Sequence, residues 1–167
     1  GNLAGYVKDT TGINSLSQWI AGQFDPALNW KDVDWVRSLW PGKLILKGIL
    51  DADDAKIAAK TGAGALVVSN HGGRQLDGAP SSIAMLPKIV DAVGSDIEVM
   101  FDGGIRSGQD VMRALALGAR SGLIGRSYVY GLGAGGEAGI TKAIDIIRKE
   151  LDVTMALCGV KTIKDID

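Results

Sequence analysis

The residues best suited to chemistry fall in four short, glycine-rich clusters: Lys47-Gly48, Ser69-Asn70-His71-Gly72-Gly73-Arg74-Gln75, Asp102-Gly103-Gly104-Ile105-Arg106 and Gly125-Arg126. His71 is the only histidine among 167 residues, so any imidazole chemistry of this chain falls to it. Arg74, three residues on, offers a planar cation for a carboxylate beside a candidate general base. A lone histidine also has a purely structural reading. Glycine turns that lead into helices expose backbone N–H groups to an anion, and Arg106 and Arg126 could add bidentate contacts to phosphate oxygens. The alternative is a pair of tight turns with solvent-exposed arginines. Lys47 either reaches solvent or places a cation in a cavity, against developing negative charge.

Something must hold these clusters together, and the apolar pattern shows what. Short apolar runs at Leu44–Lys47, Ala65–Val68, Ile97–Phe101 and Gly122–Ile124 each stop where a cluster begins. Continuous runs of this length suit strands buried on both faces of a parallel sheet. Helical patterns lie between them. Asp51 is expected to cap one, with Asp54 at its third position and Gly62 as its left-handed stop. A second runs from Asp110 to Leu117 and stops at Gly118. Pro87, within Ile83–Val93, is expected at a helix's first turn. Ile140, Ile144, Ile147 and Leu151 form the stripe of a last long helix.

Shifting the chain by 56 residues lays Gly48-Ile49 on Gly104-Ile105, Asp54 on Asp110, Ala58 on Ala114 and Gly62-Ala63 on Gly118-Ala119. A repeated strand–helix unit is the building block of a (β/α)8 TIM barrel, whose active sites lie at the C-terminal ends of the strands. The four clusters sit at those ends. Four strands are half such a barrel and would leave two bare edges. The expected fold is therefore α/β, strands 5 to 8 of a barrel, with the first four units outside this sequence.

Bulk properties exclude several classes. A formal net charge of -1 and scattered basic residues argue against nucleic-acid binding. One cysteine, Cys158, excludes an internal disulfide framework and a cysteine metal cluster, and no metal site is expected. No apolar run approaches a membrane span.

From Ser69 to Gln75 the sequence closely resembles the FMN-dependent family that oxidises 2-hydroxy acids, which includes glycolate oxidase, lactate oxidase, flavocytochrome b2, mandelate dehydrogenase and bacterial L-lactate dehydrogenase. All four clusters occur in the family's order and approximate spacing, and the resemblance covers essentially the whole chain. It implies that His71 is the base that takes a proton from the hydroxy acid as two electrons pass to N5 of FMN. Arg74 would be one of two arginines holding the substrate carboxylate. Lys47 would face the N1/C2 carbonyl edge of the flavin, and Ser69 would contact the ring system. Asp102, Gly104 and Arg106, with Gly125 and Arg126, would form the ribityl-phosphate site. In the family, the substrate-binding tyrosines, the second arginine and the aspartate that orients the histidine come from the first half of the barrel. The chain alone is accordingly expected to show no turnover and little or no affinity for FMN.

Residues 1–42 are expected to be a variable, tryptophan-rich connection before strand 5, and residues 43–167 the C-terminal half-barrel. The stretch from Phe24 to Trp40 most resembles the respiratory bacterial L-lactate dehydrogenases, which implies L-lactate as the substrate, with a glycolate- or mandelate-oxidising member of the same family as the alternative. Oxygen, a quinone or a cytochrome could each be the electron acceptor. A single cysteine fits a reducing compartment, expected to be the cytoplasm, and the bare sheet edges suit a homo-oligomer. The resemblance implies peripheral contact to the inner membrane through residues 1–28 as an equal alternative to packing on the barrel wall. From Trp30 onward, packing is expected. Three rival readings remain: an aldolase with Lys47 as Schiff-base nucleophile, a self-associating non-catalytic half-barrel, and another FMN barrel resembling IMP dehydrogenase. The last lacks the His71–Arg74 arrangement.

Overall fold

The computed structural model describes residues 18–167. The chain divides into two compact units, Gly1–Ser38 and Leu39–Asp167. In the first, α1 (Trp30–Leu39) buries none of its residues, and Trp35 is 62% exposed. Of the stretch weighed as a membrane contact, residues 1–17 lie outside the described residues, while Phe24 and Leu28 are exposed. No helix among the described residues is long and apolar enough to cross a membrane.

The second unit alternates strand and helix: β1 (Ile45–Ile49), α2 (Ala52–Ala58), β2 (Ala65–Val68), a 3-10 turn (His71–Gly73), α3 (Ser82–Val93), β3 (Glu98–Asp102), α4 (Gly108–Ala116), β4 (Gly122–Leu123) and α5 (Arg126–Leu157). All strand pairs are parallel, in the order β1-β2-β3-β4. Burial on both faces holds only for β2, whose four residues are all buried. In β3 it alternates, with Val99 and Phe101 buried, and Ile45 at the start of β1 is exposed. Alternate side chains of β3 point to opposite faces, and the face that carries Val99 and Phe101 is the buried one, so burial there follows a period of two. The core lies where β2 and β3 meet the helices, around Leu66, Val68, Leu86, Ile89, Val93 and Phe101.

The 56-residue repeat is structural. The Asp51 side chain caps α2 by accepting from the amides of Asp53 and Asp54. Its counterpart Ser107 caps α4, with Asp110 closing a reciprocal capping box. Gly48 and Gly104 share a left-handed backbone, with φ of 103° and 95°, as do Gly62 and Gly118 at 76° and 92°. Pro87 departs from expectation because it lies inside α3, not in the first turn. It removes the amide that would reach the Ile83 carbonyl, a cost of about 3 kcal/mol. Burial of Leu86, Ile89 and Val93 on the same helix outweighs it.

α5 is broken at Gly135 and Gly136, whose φ/ψ of −159°/24° and 58°/−139° turn the chain back. Gly131 and Gly139 consequently pack backbone to backbone. In a straight helix those eight residues would be about 12 Å apart. The second arm also meets α4: a Cβ on Gly108 would lie 2.6 Å from the Ile147 carbonyl oxygen, and the Gly108 amide donates to Glu150 at 2.9 Å. Glycine-to-alanine changes in helices usually stabilise by about 1 kcal/mol. Here Gly108→Ala is expected to destabilise by roughly 2 kcal/mol through overpacking, read as a lower urea midpoint. An unchanged or higher midpoint would refute the close approach.

Candidate active site

Parallel register brings the strand ends to one level. Lys47 pairs with Val67 and Val68 with Phe101, so Ser69 and Asp102 follow side by side on the face that carries Lys47. The three side chains meet there. The Lys47 ammonium donates to Asp102 Oδ2 at 2.5 Å and to Ser69 Oγ at 2.9 Å, and the Ser69 hydroxyl donates to Asp102 Oδ2 at 2.7 Å. Gly48 is the extra residue at the bulge where β1 changes register. Pairing resumes beyond it, with Ile49 opposite Val68.

Partial burial by itself raises the Asp102 pKa. Hydrogen bonds from Lys47 and Ser69, with the charges of Lys47 and His71, outweigh it and leave the carboxyl below its usual value. A depressed folded-state pKa contributes stability that is present above the unfolded value, near about 3.9, and is lost as pH falls through the folded value. Acidification from about pH 6 to about pH 3 should therefore cost the wild type more stability than Asp102→Asn, measured by urea midpoints across that window. Parallel slopes for the two proteins would contradict the assignment.

His71 follows β2 in a left-handed conformation, φ 55°, and among the described residues it is the only non-glycine with positive φ. Such a backbone costs a bulky residue about 1–2 kcal/mol and tends to persist where function needs it. Gly72 and Gly73 continue the turn at φ 67° and 71°. Arg126 reaches across to it, since a Cβ at Gly72 would lie 3.3 Å from a guanidinium nitrogen.

A cavity of about 750 Å³ opens over these strand ends. Lys47, His71, Arg74, Asp102, Gly104, Arg106, Gly125 and Arg126, eight of the nine residues singled out in the sequence, line it. Ser69, the ninth, is 2% exposed and lies beneath the wall, its hydroxyl engaged by Lys47, Asp102 and the His71 amide. Four cations (Lys47, Arg74, Arg106, Arg126) face one carboxylate, Asp102, among the lining residues. That imbalance favours an anionic occupant. No group of three or more potential metal ligands occurs among the described residues.

The helix ends contribute unequally. At α4 the Arg106 and Ser107 amides donate to Asp110, the Asp110 amide to Ser107 and the Gly108 amide to Glu150. These four amides are thus engaged by side chains of the protein itself, while Gly103, Gly104 and Ile105 before them line the cavity. Partial burial raises the Asp110 pKa, but these hydrogen bonds and Arg113 outweigh it and keep the carboxyl ionised below its usual range. At α5, by contrast, Gly125 provides no side-chain cap, and Gly125, Arg126 and Ser127 at the start of the helix line the cavity.

Sequence reasoning missed part of the wall. Val129 and Tyr130 lie three and four residues after Arg126 on the first arm of α5, a spacing that could have placed them on its face. Ile146 and Ile147 come from the second arm, and only the reversal at Gly135-Gly136 brings them in.

The profile of one protein family, described as FMN-dependent dehydrogenase, matches residues 3–167. The chain is similar to L-lactate dehydrogenase of Caulobacter sp. (strain K31), with 53% identity over 167 residues, covering 100% of this chain and 44% of the relative. L-lactate dehydrogenase of Caulobacter vibrioides (strain NA1000 / CB15N) matches with the same identity and coverage. The chain thus spans less than half the length of these relatives. Among solved structures, mandelate oxidase with (S)-4-hydroxymandelic acid superimposes with a TM-score of 0.86 at 43% identity, covering 94% of this chain and 44% of that one. A mandelate oxidase variant with a monooxide FMN adduct gives a TM-score of 0.80 at 46% identity, covering 85% and 45%.

Proposed function

Because the chain belongs to the FMN-dependent dehydrogenase family, we propose that the whole protein oxidises a small L-2-hydroxy acid, L-lactate to pyruvate foremost, with FMN as cofactor. Its parallel sheet is half of a (β/α)8 barrel. The observation that carries the reading is the cavity in which four cations and His71 converge at the strand ends, with a single carboxylate among them. Two anionic groups need accommodating in such a reaction: the substrate carboxylate and the cofactor phosphate.

The residues present fit FMN. Arg106, Arg126 and the uncapped start of α5 supply guanidinium and amide donors suited to a phosphate. The cavity volume falls within the range of ordinary cofactor sites. When bound, FMN would take up the two electrons released as the hydroxy acid becomes a keto acid.

The rest is the work of side chains. Arg74 grips the substrate carboxylate through paired N–H donors and thereby fixes which carbon faces His71. His71 accepts the proton that leaves the substrate, and its left-handed backbone, held by flanking hydrogen bonds, aims the ring at the cavity. Lys47 supports negative charge developing at the cofactor edge, and Asp102 and Ser69 keep its ammonium in place. An ammonium held in that pair suits an electrostatic role better than that of a free Schiff-base nucleophile.

Substrate choice is tested by dye reduction with L-lactate, glycolate and mandelate on the whole protein. The highest kcat/KM is expected with L-lactate. Preference for mandelate would overturn the substrate while leaving the reaction class, and reduction with none of the three would overturn both.

A further inference from the structure

The turn that carries His71 is held by more than its glycines. Three consecutive amides, those of Asn70, His71 and Gly72, each donate to a side-chain oxygen at 3.0 Å: Ser82 Oγ, Ser69 Oγ and Asn70 Oδ1 respectively. β2 has ended at Val68, so no strand partner is available to these amides, and the left-handed backbone keeps them out of any right-handed helix. Two of the three acceptors lie within the turn. Ser82 is the exception, twelve residues along from the amide it accepts.

Ser82 is 2% exposed and is the first residue of α3. It also touches the neighbouring rim of the cavity. A Cβ on Gly103, where φ is 113°, would lie 2.8 Å from Ser82 Oγ and 3.3 Å from Asn70 Oδ1. The hydroxyl therefore sits at the junction of the β2 turn, the β3 turn and the start of a core helix. A buried acceptor anchored on a rigid element is well placed to fix a strained turn, because the turn cannot relax without leaving an amide unpaired.

We infer that Ser82 is a positioning residue for His71, acting through the Asn70 amide to hold the imidazole at the cavity. The inference rests on the reading of His71 as the base. It adds that the base's placement depends on a hydroxyl that lines no part of the cavity.

The test uses the whole FMN-loaded protein and three variants. Ser82→Ala removes the acceptor, Ser82→Cys keeps the shape with a far poorer acceptor, and Ser82→Thr retains the hydroxyl. Amide hydrogen exchange of a peptide spanning Asn70 to Arg74 should speed up about tenfold in the alanine and cysteine variants while β1 and β3 peptides stay unchanged. In the same two variants kcat should fall about ten- to a hundredfold with KM within about threefold of wild type, a pattern expected of a misplaced reacting group. Ser82→Thr should restore both. If Ser82→Ala does not fold, Ser82→Cys gives the same readings. Unchanged exchange overturns the inference whatever turnover does, and faster exchange with undiminished kcat overturns it too. Retained turnover in His71→Asn instead defeats the reading of His71 as base, independently of the exchange result, and takes the positioning role with it.

Discussion

Replacing His71 with asparagine is expected to lower kcat for L-lactate by about a thousandfold, the middle of the range for a positioned general base. Asparagine is the informative replacement because it tolerates a left-handed backbone better than most residues, so the turn at φ 55° should survive. Affinity for substrate should change little, since Arg74 is the group assigned to the carboxylate. FMN content should not change either, because the arginines and the start of α5 are untouched. A large loss of kcat with KM, flavin content and thermal midpoint preserved separates a missing base from a damaged fold. Turnover within tenfold of wild type would remove His71 from the role of base.

The second large effect concerns the phosphate end of the cavity. Arg106→Ala and Arg126→Ala should each weaken FMN binding by roughly ten- to a hundredfold, the worth of one charged hydrogen-bonding group. Arg126 is expected to matter more. It stands at the start of α5, where no side-chain cap competes for the amide donors, whereas the amides beside Arg106 are held by Asp110. Arg126 also reaches the His71-Gly72 turn, so its loss should lower kcat in protein saturated with FMN, and loss of Arg106 should not. Quenching of flavin fluorescence on titration with the protein gives the affinities. Equal, unchanged affinity in both variants would place the phosphate elsewhere.

Much of this arrangement was legible in the residues. The four clusters stand at strand ends because each apolar run stops where its cluster begins, and the 56-residue repeat reappears as matched caps at Asp51 and Ser107 with matched left-handed glycines. Local chemistry of that kind is written in consecutive residues. What was not legible depends on register and chain reversal. The meeting of Lys47, Ser69 and Asp102 requires three strands in parallel register. The contribution of Ile146 and Ile147 to the wall requires the reversal at Gly135-Gly136. Pro87 was placed at a helix start by its backbone preference, and burial of its neighbours overrode that preference. The amides at the start of α4 looked available from a glycine-rich turn, yet Asp110 and Glu150, one of them 42 residues away, had already taken them.

The central claim is that this cavity brings a base and a ring of cations to bear on a 2-hydroxy acid beside FMN. It is tested most directly by mixing the FMN-loaded whole protein with L-lactate in the absence of oxygen and any other acceptor, and following the flavin's visible absorbance. Wild type should bleach fully with one equivalent of pyruvate formed per flavin, Arg74→Met only at far higher lactate, and His71→Asn at least about a hundredfold more slowly. Bleaching at an undiminished rate in His71→Asn, or none in wild type with lactate, glycolate or mandelate, would contradict it.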